Sequence, residues 1–158
     1  MRVLFVCLGN ICRSPLAHGV FEAVAHKQGL DIEVDSAGTG AWHIGNPPDR
    51  RSIAVAAKHG IDISGQRARK LAEDDFDRFD LILGMDRSNV DNINAKRRGS
   101  SRAHVDLFLD YAISQTRDVP DPYYGGDDGF EDVCRMIRAG AESLGTRLGG
   151  GMDKPPRS

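Results

Sequence analysis

The chain contains no apolar run approaching the ~20 residues that cross a bilayer. Its opening stretch, Val3-Leu4-Phe5-Val6-Cys7-Leu8, is too short for a secretory signal, has no small-residue cleavage site and soon meets Arg13. Membrane association and export are therefore not expected, and a cytoplasmic, reducing location is. Cysteine is scarce: three in 158 residues, an odd count that argues against a disulfide framework and leaves free thiols with a chemical role. A strong charge of either sign is also lacking. The 21 basic and 23 acidic residues give a net charge of −2, which supplies no field for nucleic acid or anionic lipid. The pairs Arg50-Arg51 and Arg97-Arg98 and the run Glu73-Asp74-Asp75 read as solvated surface. The five histidines show no metal-ligand spacing and no carboxylate cluster suggests magnesium, so neither metal nor cofactor is expected. A G-x4-G-K-S/T string is missing, and Gly38-Thr39-Gly40 lacks the third glycine of a dinucleotide fingerprint. There is no internal repeat and no linker.

What remains is ordinary globular composition, 40% hydrophobic and 28% charged, in a length that suits one domain. Val3–Val6 is β-branched and aromatic, as in a strand buried on both faces. A helix is expected next, with Ser14 as N-cap, Pro15 at the first helical position and Gly29 at its close. Ile32–Asp35 reads as a second strand, so the first thirty-five residues form a β-loop-α-β unit with a right-handed crossover. Residues Gly38–Pro48 read as a loop and Asp49 to His59-Gly60 as a helix; Leu71–Phe79 reads as a helical turn. Leu81-Ile82-Leu83 reads as a strand, Asp86 as the start of a polar helix and Val105–Leu109 as the fourth strand. Arg117–Asp128 reads as loop. In the last helix Phe130, Val133, Cys134, Ile137, Ala141, Leu144 and Leu148 recur at helical spacing, which makes Cys134 a core residue. The expected architecture is α/β: a single three-layer domain over residues 1–148, a four-stranded parallel sheet flanked by helices, and a flexible tail over 149–158.

In open α/β sheets, ligands bind beyond the carboxyl ends of the strands. Cys7 lies at that end of the first strand, and Arg13 lies just before the first helix. The loop between them, Leu8-Gly9-Asn10-Ile11-Cys12, presents successive backbone N–H groups that together with the helix N-terminus make an anion site. A cysteine in that field is favoured as the thiolate, its nucleophilic form. Arg13 supplies a planar fork for two phosphate oxygens. Far along the chain, prolines 120 and 122 flank Asp121 and stiffen a loop whose carboxylic acid suits protonation of a leaving oxygen.

The string Cys7-Leu8-Gly9-Asn10-Ile11-Cys12-Arg13-Ser14-Pro15 resembles the C-x5-R-S/T-P signature of the low-molecular-weight protein tyrosine phosphatase family. Asp121-Pro122-Tyr123-Tyr124, Asp35-Ser36-Ala37-Gly38 and Asp80-Leu81-Ile82-Leu83-Gly84-Met85-Asp86 are similar to it as well. The resemblance implies hydrolysis of phosphotyrosine and aryl phosphate monoesters through a cysteinyl phosphate. It gives Cys7, Arg13 and Asp121 as the catalytic residues and Leu8 to Ser14 as the phosphate cradle. Asn10 would hold the loop in its strained form, Ser14 would donate to the leaving thiolate, and Ser36 and His59 would continue that network. Leu8, Trp42, Tyr123 and Tyr124 would wall a slot for a phenyl ring. Cys12 would form a reversible disulfide with Cys7, and the partners would be phosphotyrosine proteins and a cognate tyrosine kinase. Three other readings compete. Arsenate reductases of this fold need a further cysteine pair, and beyond Cys12 there is only Cys134. Protein-arginine phosphatases typically carry threonine where this chain has Ile11, and a less aromatic acid loop. A non-catalytic phosphate-binding or thiol redox-sensing module would dispense with Cys7, Arg13 or Asp121, and all three are present.

Overall fold

A computed structural model describes residues 1–97, 99, 101–123 and 127–149 of the chain. Its strands are β1 (Arg2–Cys7), β2 (Glu33–Gly38), β3 (Leu81–Gly84) and β4 (His104–Leu107), and its helices are α1 (Arg13–Lys27), α2 (Arg50–Lys58), α3 (Asp75–Arg78), α4 (Arg87–Lys96), α5 (Phe108–Ile113) and α6 (Asp127–Gly149). All strand pairs are parallel, in the order β2-β1-β3-β4. β1 is thus central, and five of its six residues are buried, as an unbroken apolar strand between two helical layers requires. Its side chains alternate: Val3, Phe5 and Cys7 enter one core with α1, α2, α5 and α6, while Leu4 and Val6 enter the other with Phe76 of α3 and Ile93 of α4. Phe5 meets Phe21 and Phe108 edge-on at centroid distances of 5.8 and 5.6 Å, which locks β1 to α1 and α5.

Expected helix stops are present. Gly29 and Gly60 follow α1 and α2 with φ of 71° and 78°, the left-handed conformation that glycine adopts without strain. Asp86 opens α4 with a reciprocal capping box to Asn89. Four expectations are corrected. Ser14 is not the N-cap of α1; Cys12 holds that position without a side-chain cap, because the Ser14 hydroxyl is turned toward Cys7 and Asn10. The apolar run Val105–Leu109 does not stay a strand: β4 stops at Leu107, and Phe108, Leu109, Tyr111 and Ala112 bury one face of α5. Only Asp75–Arg78 of the Leu71–Phe79 segment is helical. Helix α6 begins at Asp127, three residues before the apolar stripe, and runs through Gly149. The remaining tail, 150–158, lies outside the described residues.

Candidate active site

The site lies at the carboxyl end of β1, where the chain leaves the sheet between β2 and β3. Asn10 turns the loop with φ of 56°, left-handed backbone that asparagine tolerates better than most residues. That reversal aims the Asn10 N–H at Cys7 Sγ, 3.3 Å away, and Ser14 Oγ lies 3.0 Å from the same sulfur. The Asn10 amide holds its own backbone in place: Nδ2 donates to Ser14 Oγ (2.8 Å) and Ser36 Oγ (3.1 Å), and Oδ1 accepts from the Arg69 N–H (3.0 Å). Gly38, at the end of β2, is needed for the fit, since a Cβ there would stand 2.9 Å from the Leu8 carbonyl oxygen.

Arg13 is almost wholly buried. Its Nη1 donates to Asp86 Oδ2 at 2.6 Å and to the Val119 carbonyl at 2.9 Å, which leaves Nε and Nη2 as donors for an anion. Burial works against its charge, but Cys7 and Asp86 outweigh that and hold its pKa above the ordinary value. Nη2 lies 3.7 Å from Asp121 Oδ2, so the buried guanidinium faces the more exposed carboxyl across the cleft. Asp121 Oδ1 accepts from the Tyr123 N–H at 3.0 Å. Cys7, Leu8, Gly9, Ile11, Cys12, Arg13, Trp42, His43, Asp121 and Tyr123 line a cleft of about 400 Å³. Sulfur and guanidinium at the base of a cleft, with a carboxyl above them and an apolar rim, suit a dianionic phosphate carried on an apolar group.

The chain matches the family model of low molecular weight phosphotyrosine protein phosphatases over residues 2–152. It belongs to that family. It is 46% identical to the low molecular weight protein-tyrosine-phosphatase YfkJ of Bacillus subtilis, over 91% of this chain and 93% of that one. A protein tyrosine phosphatase of Entamoeba histolytica superposes with a TM-score of 0.89 at 35% identity, covering 96% of this chain and 98% of that one. An arginine phosphatase, YwlE, reaches the same TM-score at 26% identity, covering 98% and 100%. The backbone is therefore shared by enzymes named for different phosphorylated residues, and the side chains must discriminate.

Within this phosphatase frame, His59 is corrected. Both its ring nitrogens are engaged away from the cradle: Nε2 is 2.9 Å from Glu131 Oε2 and Nδ1 is 2.9 Å from Arg138 Nη1, which ties α2 to α6. The histidine beside Ser36 is His18 of α1, with Nδ1 3.3 Å from Ser36 Oγ and Nε2 3.7 Å from Glu22 Oε2. His18 and the cleft-lining His43 both escaped the sequence reading. His43 follows Trp42 and its ring lies 6.4 Å from that of Tyr123, so adjacency to the expected slot was the one available signal. Leu8, Trp42 and Tyr123 are exposed at the rim, Trp42 most of all. Tyr124 lies outside the described residues. Cys12 is buried beside Cys7; burial first, then Asp49 and Cys7, push its thiol up to about 12. Among the described residues, no three His, Cys, Asp or Glu side chains group to hold a metal, and no helix is long and apolar enough to cross a membrane.

Proposed function

We propose that this phosphatase hydrolyses phosphotyrosine in proteins, and small aryl phosphates, through a cysteinyl phosphate on Cys7. The observation that carries the reading is the meeting of Cys7 Sγ, Arg13 and Asp121 at one cleft, with Asn10 N–H and Ser14 Oγ both directed at the sulfur. The Cys7 sulfur attacks phosphorus, the P–O(aryl) bond breaks, and Asp121 protonates the departing phenolate. Arg13 and the loop N–H groups of residues 8–13 hold the equatorial oxygens as the charge redistributes, which dispenses with a metal. Asp121, now a carboxylate, takes a proton from the water that attacks the phosphocysteine. As inorganic phosphate leaves, the Ser14 hydroxyl donates to the released thiolate, held in place by Asn10 and Ser36. Leu8, Trp42, His43 and Tyr123 form a rim suited to a flat ring. Ile11 in the cradle and this aromatic rim favour phosphotyrosine over phosphoarginine.

The three free, buried thiols suit a reducing cytoplasm, where a tyrosine kinase would supply the substrate. Peroxide would convert the Cys7 thiolate to a sulfenic acid, and Cys12 would displace hydroxide from it to close a disulfide that thiol reductants reopen. A panel of phosphotyrosine, phosphoserine and phosphoarginine peptides tests the reading. Turnover should be confined to phosphotyrosine, and preferred release from phosphoarginine would overturn it. Asp121→Asn should slow phosphoenzyme formation by about 10²–10⁴ on phosphotyrosine and far less where the leaving group needs no proton. Equal losses on both would remove Asp121 from the acid role. Cys7→Ser should bind vanadate and turn over nothing.

A further inference from the structure

Residues 119–123, which carry Asp121, belong to no helix or strand, yet general acid catalysis needs the carboxyl held to a fraction of an ångström. A continuous chain of hydrogen bonds runs from the phosphate cradle to that loop through the N-terminus of α2. The Asp49 N–H donates to the Ile11 carbonyl oxygen at 2.7 Å, and the Ser52 hydroxyl reaches the Cys12 carbonyl at 3.5 Å. The Asp49 carboxylate accepts from the Arg51 N–H (2.9 Å), Nε (3.1 Å) and Nη2 (3.1 Å). Burial opposes the charge on Asp49, but these bonds override it and keep its pKa below the ordinary value. The Arg51 guanidinium, aimed by that grip, lies 4.4 Å over the Phe130 ring of α6 and 5.7 Å from the centroid of the Tyr123 ring. Its Nη2 donates to the Tyr123 carbonyl oxygen at 2.9 Å. The Tyr123 N–H in turn donates to Asp121 Oδ1 at 3.0 Å.

From this geometry we infer that Arg51 is a positioning residue for the general acid, setting where Asp121 sits relative to the oxygen that leaves Cys7-bound phosphorus. The inference rests on the reading of Asp121 as that acid. Arg51 lies outside the residues that line the cleft, and its effect passes through the Tyr123 peptide. A planar fork is required, because one group must serve the Asp49 carboxylate and the Tyr123 carbonyl together while stacking on Phe130. The ammonium of a lysine has the charge but neither the plane nor the fixed angle between donors.

The discriminating experiment varies the leaving group. Pre-steady-state phosphoenzyme formation is measured for wild type, Arg51→Leu, Arg51→Lys, Asp121→Asn and the Arg51→Leu/Asp121→Asn double variant. The substrates are aryl phosphates whose phenols span several pKa units. Thermal unfolding is followed in parallel. Arg51→Leu should slow the reaction on the most basic phenols by about 10- to 100-fold, the penalty expected for an ångström-scale misplacement. On the most acidic phenols it should change the rate less than about threefold, the steeper leaving-group slope being a signature that simple loss of stability does not produce. Arg51→Lys should restore little of the loss. The double variant should be no slower than Asp121→Asn alone, since two changes acting on one proton transfer are not additive. A uniform loss across all phenols with Arg51→Leu, while Asp121→Asn keeps its steep slope, would overturn the positioning role and leave the acid intact. A flat response with Asp121→Asn itself would overturn both. Should Arg51→Leu fail to fold, Asp49→Asn serves in its place. It keeps a good N-cap on α2 while loosening the grip on the guanidinium, and it should reproduce the leaving-group dependence at smaller amplitude; a uniform loss there would equally overturn the inference.

Discussion

Cys12 shares a loop with Cys7 and ends with its thiol pushed up to about 12, chiefly by burial and then by Asp49 and Cys7. A resolving cysteine attacks as the thiolate. Closure of the proposed Cys7–Cys12 bridge after peroxide treatment should therefore accelerate about tenfold per pH unit between pH 7 and 9, read by rapid alkylation and peptide mapping. A rate independent of pH would show that Cys12 is already ionised or is not the resolving thiol. Asp49→Asn should raise the rate, because it removes one of the fields opposing the Cys12 thiolate. Short spacing on one strand–loop–helix turn was enough to place Cys7 and Arg13 at one candidate anion site, whereas Asn10 and Ser14 were named for it through the family resemblance alone. His59 and His18 were not legible. Their partners, Glu131 and Ser36, stand 72 and 18 positions away and are chosen by the way helices pack on the sheet.

Helix α4 and the cradle share one carboxylate. Asp86 Oδ1 accepts from the Asn89 N–H at 2.7 Å as the cap, while Oδ2 takes Arg13 Nη1 at 2.6 Å. Asp86→Asn keeps a good cap and loses the charge; Asp86→Ala loses both. In urea unfolding, the alanine variant should be the less stable of the two by about 1 kcal/mol. Both should lose activity by roughly 10- to 100-fold, because the Arg13 fork is no longer held on one side. Full activity in Asp86→Asn would mean that the Val119 carbonyl alone aligns Arg13. At this scale the approximate places of the strands, the end of α1, both ends of α2 and the start of α4 followed from β-branched runs, caps and glycines, whereas the starts of α1 and α6 and the extent of α3 did not. Helix α5 did not, since Val105-Asp106-Leu107-Phe108-Leu109 is too short an apolar run for periodicity to separate strand from helix. The burial of Phe108, Leu109, Tyr111 and Ala112, with Phe108 edge-on to Phe5, favours the helix.

Across the whole molecule, two buried thiols link stability to alkaline pH. Burial, with Glu131 adding to it, pushes Cys134 up to about 11 from an ordinary 9.0, and Cys12 moves the same way. Below pH 9 both folded and unfolded chains keep these protons. Above it the unfolded chain releases them first, so the contribution is fully present below pH 9 and is lost as pH rises toward 11 for Cys134 and toward 12 for Cys12. Two pH units at Cys134 correspond to roughly 2–3 kcal/mol. Urea unfolding under reducing conditions from pH 8 to 11 should show this fall, and Cys134→Ala, though less stable at pH 8, should show a shallower one. Parallel slopes would place the alkaline loss elsewhere. The sequence foretold a parallel sheet but not the order β2-β1-β3-β4, which seats β1 in the middle and brings residues 36–43, 86 and 119–123 around its end. That arrangement has a consequence for the protein as it is made. Cys7 emerges more than a hundred residues before Asp121 and before the Val119 carbonyl that anchors Arg13. At ordinary elongation rates this is a gap of roughly 5 to 20 s. Throughout that interval a nascent chain carries the loop after β1 without Asp121, the proposed acid, and without the carbonyl that anchors Arg13, so on this reading phosphate release begins only when synthesis of the domain is nearly finished.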